Sequence, residues 1–299
     1  MSAVDDALDT FENRVVGTRV SDKTFDMYQL WIRRFEMWRP GGEVQTGWLY
    51  DFDQMLADSD LPDYPWVNGR GRQPPDSYAY RSRRVALSAV KLWYRLNYDR
   101  EVPEEVQNMV SGEPDPFEPN YLSTDDVDRA IEDAPAACDC PCCAAALAVT
   151  YDCILRAAEL TAIRREDIDL NANTLYVRTV KGGQPARVSV GSRAMNHLER
   201  LIRERDPDDV VFTNTYGNGW KPESWSTHFR RKHHEAGVHS FGRHTPILHR
   251  LENPHTFEDM DPDGDVFGQV FRKSRHQHPS MTNRYARMVG IEVPDWANQ

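Results

Sequence analysis

Arg275-His276-Gln277-His278-Pro279-Ser280-Met281-Thr282-Asn283-Arg284-Tyr285 is the most informative stretch of this chain. It sets a histidine, a threonine and a tyrosine in one short run, with arginines at both ends. Three upstream segments carry matching chemistry. Arg156 lies in Leu155-Arg156-Ala157-Ala158-Glu159-Leu160. Lys181 sits between two runs rich in β-branched residues, in Val180-Lys181-Gly182-Gly183, a hairpin signal. Arg243 lies in His239-Ser240-Phe241-Gly242-Arg243-His244-Thr245.

Together these residues suit attack on a phosphodiester. Guanidinium forks match the nonbridging oxygens and stay charged at any working pH. Two of them can hold both oxygens and stabilise the charge of a pentavalent transition state. A tyrosine phenolate gives a covalent phosphotyrosine that can be reversed. A lysine on a hairpin tip can supply the proton that a departing 5′ oxygen needs. This chemistry requires neither metal nor nucleotide, so no cofactor is expected.

Working outward, the chain has 299 residues, suited to two domains. The first part reads as helical. Ser21 to Trp38 carries Phe25, Tyr28, Ile32 and Phe35 at helical spacing. Trp48 to Leu56 is a second helix, and Ser77 to Tyr98 a third. On that third helix Arg81, Arg84, Lys91 and Arg95 fall on one stripe, apart from the apolar face of Leu87, Val90 and Tyr94. Such a stripe fits a phosphate backbone. The spacing predicts a helical domain over 1–112, a Pro/Gly/acid-rich linker over 113–121 and a mixed domain over 122–299. Ser123 and Asp126 open the second domain with a near capping box.

In the second domain, Cys143 to Ile163 reads as one helical stretch carrying Arg156. Thr174 to Val180 and Ala186 to Val190 read as strands joined through the Lys181 turn. Ser192 to Arg203 and Trp225 to Ala236 read as helices. The latter includes Arg230, Arg231 and Lys232, a basic cluster and a second candidate DNA contact. The fold class expected is therefore mainly α with a small β-hairpin or sheet.

The formal net charge of −11 runs against phosphate binding, which draws on Lys and Arg. The acid falls largely in Asp-rich loops and lysine is scarce, a pattern expected of a salt-rich cytoplasm, in a halophilic archaeon or its virus. No apolar run approaches a membrane span and the N-terminus is acidic, so a cytoplasmic protein without membrane contact is expected. Cys138, Cys140, Cys142 and Cys143 crowd too closely for a good zinc pattern, which favours separated pairs. Asp259, Asp261, Asp263 and Gly264 copy half of a calcium loop, but Val270 stands where a bidentate Glu belongs. A solvated acidic insertion is expected there, and no metal site.

The boxes around Arg156, Lys181, Arg243 and Tyr285 resemble those of the tyrosine recombinase family, the phage integrase and Xer-like enzymes. The resemblance implies a helical core-binding domain and a catalytic domain that clamp a duplex DNA attachment site. It implies a homotetramer in the synaptic complex and a monomer without DNA. Arg156, Lys181, His239, Arg243, His276 and Tyr285 would be catalytic, with Tyr285 the nucleophile. The sequence departs from the family's His-x-x-Arg box, since Ser240 stands three residues before Arg243 and His239 one residue further. Arg250 is the rival for that second arginine. A type IB topoisomerase-like enzyme and a catalytically impaired DNA-binding relative stay open as alternatives.

Overall fold

The computed structural model describes residues 3–15, 21–39, 42, 44–58, 77–107, 109–110, 112–114, 116–119, 121–137, 142–178, 185–233 and 243–298. The chain divides into two compact units, Met1–Pro116 and Phe117–Gln299. The two are described separately.

The first unit is helical: α1 (Ala3–Val15), α2 (Asp22–Trp38), α3 (Gly47–Ala57), α4 (Tyr80–Tyr98) and the short α5 (Glu104–Gln107). Ser21 caps α2 by accepting the Thr24 N–H at 3.4 Å, satisfying a donor that the first turn leaves open. Helix α4 starts at Tyr80, so the expected Ser77 lies outside it. Trp31, Ile32 and Phe35 of α2 meet Leu49 and Phe52 of α3 and Leu87, Val90 and Trp93 of α4 in one core. Burial of each such side chain contributes about 1.5–3 kcal/mol. Asp53 and Arg83 form a buried ion pair within it, at 3.1 Å.

The outer face of α4 is basic. Arg81, Arg84 and Arg95 are exposed there. Lys91 is the exception, because its ammonium donates to the carbonyls of Gln107 at 3.0 Å and Met109 at 3.4 Å. Its burial also lowers its pKa.

The second unit contains α6 (Thr124–Ala137), α7 (Cys143–Cys153), the one-turn α8 (Ala157–Leu160), β1 (Ile168–Asp169), β2 (Thr174–Val177), β3 (Ala186–Ser189), α9 (Ser192–Ile202), α10 (Pro222–His233), α11 (His244–Glu252), α12 (Val266–Ser274) and α13 (Pro279–Met288). Ser123 accepts the Asp126 N–H at 3.1 Å and donates to the Asp126 carboxylate at 2.7 Å, opening α6. The three strands form an antiparallel sheet in the order β1-β2-β3, with Leu175 opposite Ile168 and Val188. Leu175 and Val188 turn inward, and one apolar core joins them to α6, α7, α9 and α10. A second cluster joins α11, α12 and α13 around Ile247, Leu248, Leu251, Phe267, Val270 and Ala286.

The expected continuous helix from Cys143 to Ile163 is corrected. Helix α7 stops at Cys153, and Ile154 adopts φ 52°, a left-handed conformation that is costly for a β-branched residue. Ile154 is fully buried, and the packing around it holds the bend. Among the described residues no helix is long and apolar enough to cross a membrane.

Candidate active site

The bend at Ile154 builds the site. The end of α7 leaves carbonyl groups without helical partners, at the negative end of the helix dipole. Two guanidinium groups fill that place. Arg275 donates to the Cys153 carbonyl at 3.1 Å and to the Ile154 carbonyl at 2.9 Å. Arg243 donates to the Ile154 carbonyl at 3.1 Å and to the Ser274 carbonyl.

Arg156 follows at the N-terminal edge of α8. Glu159, on the same turn, accepts the Arg156 backbone N–H at 2.9 Å and its guanidinium at 2.6 Å. This local pair forms part of a larger unit. The same carboxylate accepts from Arg275 at 2.9 Å. Glu159 is 1% exposed. Burial would raise its carboxyl, but Arg275, the Arg156 N–H and the Arg156 guanidinium outweigh burial and hold it below its ordinary value. Arg156 keeps 27% of its side chain open to solvent, so its guanidinium can meet an incoming group.

Two arginines thus share one buried carboxylate, and Arg243 lies within its field. The excess positive charge is visible in Arg243, whose pKa falls to about 10 through burial first and repulsion from Arg156 next, with Arg275 adding to it. An anion placed against this cluster relieves that repulsion.

Helix α12 ends at Ser274, and Arg275 takes the left-handed conformation (φ 53°) that turns the chain into His276. Pro279 starts α13 from a preset φ. His276 Nδ1 lies 2.8 Å from Thr282 Oγ1, which fixes the ring. Its pKa is pushed down to about 3, by burial first and then by Arg243, Arg156 and Arg275, so the imidazole is neutral at ordinary pH. Tyr285 lies one turn beyond Thr282 on α13, and its ring runs nearly parallel to that of His276, 6.2 Å away with a 12° tilt. Phe117 meets Tyr285 edge-on at 5.1 Å. The Tyr285 hydroxyl is 2.8 Å from His244 Nδ1, at the first position of α11. Burial raises the phenol pKa, and Arg243, Arg284 and Arg156 partly offset it.

The structure therefore brings Arg156, Arg243, His276 and Tyr285 together. Lys181 and His239 lie outside the described residues, as do Cys138 and Cys140. Helix α10 includes Arg230, Arg231 and Lys232, whose side chains are likewise outside the description. Cys142, Cys143 and Cys153 are buried, with Cys142 Sγ donating to the Thr213 carbonyl at 3.2 Å and Cys143 Sγ 3.4 Å from His228 Nε2. Glu159, His244 and Arg275 were not picked out by sequence reasoning. Their signal was adjacency to Arg156, Arg243 and His276, which by itself assigns no role.

The rival Arg250 is corrected. It is fully buried and paired with Asp152 at 3.0 Å and Asp259 at 2.8 Å, its guanidinium 4.0 Å over the Phe257 ring. The expected solvated acidic insertion is corrected in part for the same reason. Asp259 turns inward and also takes Lys273 at 2.5 Å, while Asp261, Asp263 and Asp265 remain exposed. Val270, at the twelfth position of the half calcium loop, is fully buried in α12.

Residues 120–256 match the model of the phage integrase family. Over 119 residues, 36% of this chain, the sequence is 29% identical to tyrosine recombinase XerC 2 of Ralstonia nicotianae. The aligned region spans about a third, 34%, of that relative's length. The fold is that of solved integrases. An integrase of the Tn1549 transposon, in complex with a circular intermediate DNA, superposes with TM-score 0.70 at 12% identity, covering 98% of this chain and 97% of that one. A lambda integrase dimer bound to a COC′ core site superposes with TM-score 0.69 at 13% identity, covering 97% and 79%.

Proposed function

We propose that this chain is a site-specific DNA recombinase of the integrase type, which breaks and rejoins strands through a 3′-phosphotyrosine at Tyr285. The observation that carries the proposal is the placement of the Tyr285 phenol beside a neutral His276 and within the field of Arg243 and Arg156. Arg156 and Arg243 would clamp the nonbridging oxygens of one phosphodiester, with His276 adding a hydrogen bond. Tyr285 Oη forms its bond to phosphorus as the bond to the 5′ oxygen breaks. That oxygen leaves with the electron pair and takes a proton, the role that family resemblance gives to Lys181. Resealing runs the same steps backwards, and the phosphotyrosine link conserves the bond energy.

The partner proposed is a duplex attachment site. Arg81, Arg84 and Arg95 on α4, with Lys91 in a lesser part, would follow its phosphates, as would the Arg230–Lys232 segment. The helical first unit would be the core-binding domain and the second the catalytic domain. A solved lambda integrase forms a tetramer on a Holliday junction. By that likeness we propose a tetramer in the synaptic complex and a monomer without DNA. The Asp-rich, lysine-poor composition supports a cytoplasmic role in a halophilic host, where concentrated cations screen the acidic surface.

Covalent trapping tests the proposal. The protein is incubated with nicked suicide duplexes drawn from the DNA flanking its gene, over a potassium chloride series reaching molar concentrations. The expected result is a denaturant-stable adduct that maps to Tyr285 and is lost in Tyr285→Phe. Tight binding to a verified site without any adduct would sink the enzymatic reading and leave a DNA-binding relative.

A further inference from the structure

The reaction proposed above accounts for the proton that reaches the leaving 5′ oxygen. It leaves open where the phenolic proton of Tyr285 goes. Burial makes that phenol harder to ionise, so attack by Oη benefits from an acceptor at hand. The guanidinium groups around it have no lone pair to offer. His276 lies nearly parallel to the tyrosine ring but 6.2 Å from it, with its Nδ1 committed to Thr282. Among the described residues, the ring nitrogen in contact with the hydroxyl belongs to His244, 2.8 Å from Oη.

We propose that His244 is a further catalytic residue of this reaction, the general base that takes the Tyr285 proton on Nδ1 as Oη attacks phosphorus and returns it when the strand is resealed. The inference rests on the recombinase reading. The step balances: the O–H bond breaks as Oη–P forms, its proton moves to Nδ1, and the P–O5′ pair leaves with the sugar oxygen.

Nδ1 must carry a lone pair before attack, which places the ring proton on Nε2. The charged groups acting on the Tyr285 hydroxyl that His244 faces are Arg243, next to His244 in the chain, Arg284 on α13 and Arg156 at α8. His244 also opens α11, where the positive end of the helix dipole disfavours an imidazolium. Positive charge of this kind disfavours an imidazolium at rest and leaves Nδ1 its lone pair. The phosphoryl group then brings the negative charge that stabilises the protonated ring.

The test measures single-turnover cleavage of a suicide duplex with a 5′-bridging phosphorothiolate. Sulfur departs without a proton, so the rate reports on the nucleophile alone. For wild type, the rate falls at low pH as Nδ1 becomes protonated and levels off above that. His244→Gln keeps an acceptor but cannot take the proton. It is expected to be slower by about 10²-fold or more at neutral pH, the usual size of general-base assistance. The deficit should shrink as rising pH ionises the phenol directly. Imidazole added to His244→Ala should restore part of the rate in proportion to its concentration.

A His244→Gln rate within about threefold of wild type at neutral pH would overturn the proposal, as would a deficit constant at every pH. Should His244→Gln lose its thermal transition, the imidazole response of His244→Ala decides instead, and no response refutes the role. Absence of an adduct with wild type on a bound site is a separate result, which removes the recombinase reading itself.

Discussion

Replacing Glu159 with Gln tests the charge arrangement on which the site is built. The carboxylate accepts three hydrogen bonds, two from guanidinium groups and one from the Arg156 backbone. It is buried, and the Arg275 side chain is 2% exposed. The amide keeps one acceptor but turns its NH2 toward a donor and removes the negative charge between two cations. Removing one partner of a buried ion pair costs about 3–5 kcal/mol, and the retained acceptor puts Glu159→Gln at the low end, about 3 kcal/mol. For a unit of this size that loss lowers the midpoint by roughly 6–12 °C. Scanning calorimetry of the full chain measures it, with the transition of the first unit as an internal reference. DNA cleavage should fall as well, since Arg156 loses the contact that aims it. A midpoint shift below about 1 °C would refute the reasoning, because the Arg275 charge would then be satisfied without Glu159.

His276 gives a pH prediction. Its folded pKa, near 3, lies below its ordinary value of 6.5, so the unfolded chain binds the extra proton between those values. The neutral ring costs nothing above that window, and stability is lost as pH falls through it, by at most about 2 kcal/mol at pH 5. Urea titrations should show a shallower loss on acidification for His276→Gln, and an identical loss would refute the assignment. On α4, joint replacement of Arg81, Arg84 and Arg95 by Ala should lower the slope of log K against log salt by about 3 on any duplex sequence. Lys91→Ala should change it less, because the ammonium already serves two carbonyls. Equal effects per residue, measured by fluorescence anisotropy, would argue against that distinction.

The sequence determined the elements whose information is local. Helices α2 and α4 follow from the spacing of apolar residues along one face, the start of α6 from Ser123 and Asp126, and the β2–β3 pair from β-branched runs about a glycine turn. Tyr285, Arg156, Arg243 and His276 stood out because such a set of residue types serves one chemistry. Tertiary structure decided what depends on residues far apart in the chain. The break at Ile154 is invisible in a run of helix formers, because the surrounding core imposes the left-handed turn. Arg250 and Arg243 are equivalent as letters. One is sealed between Asp152 and Asp259, and the other is set against the end of α7 beside Arg156. Glu159 and His244 gained their places in the same way, one by joining Arg156 to Arg275 and the other by meeting the Tyr285 hydroxyl across two helices. Such contacts are set by how α7, α11, α12 and α13 pack, and no local pattern encodes them.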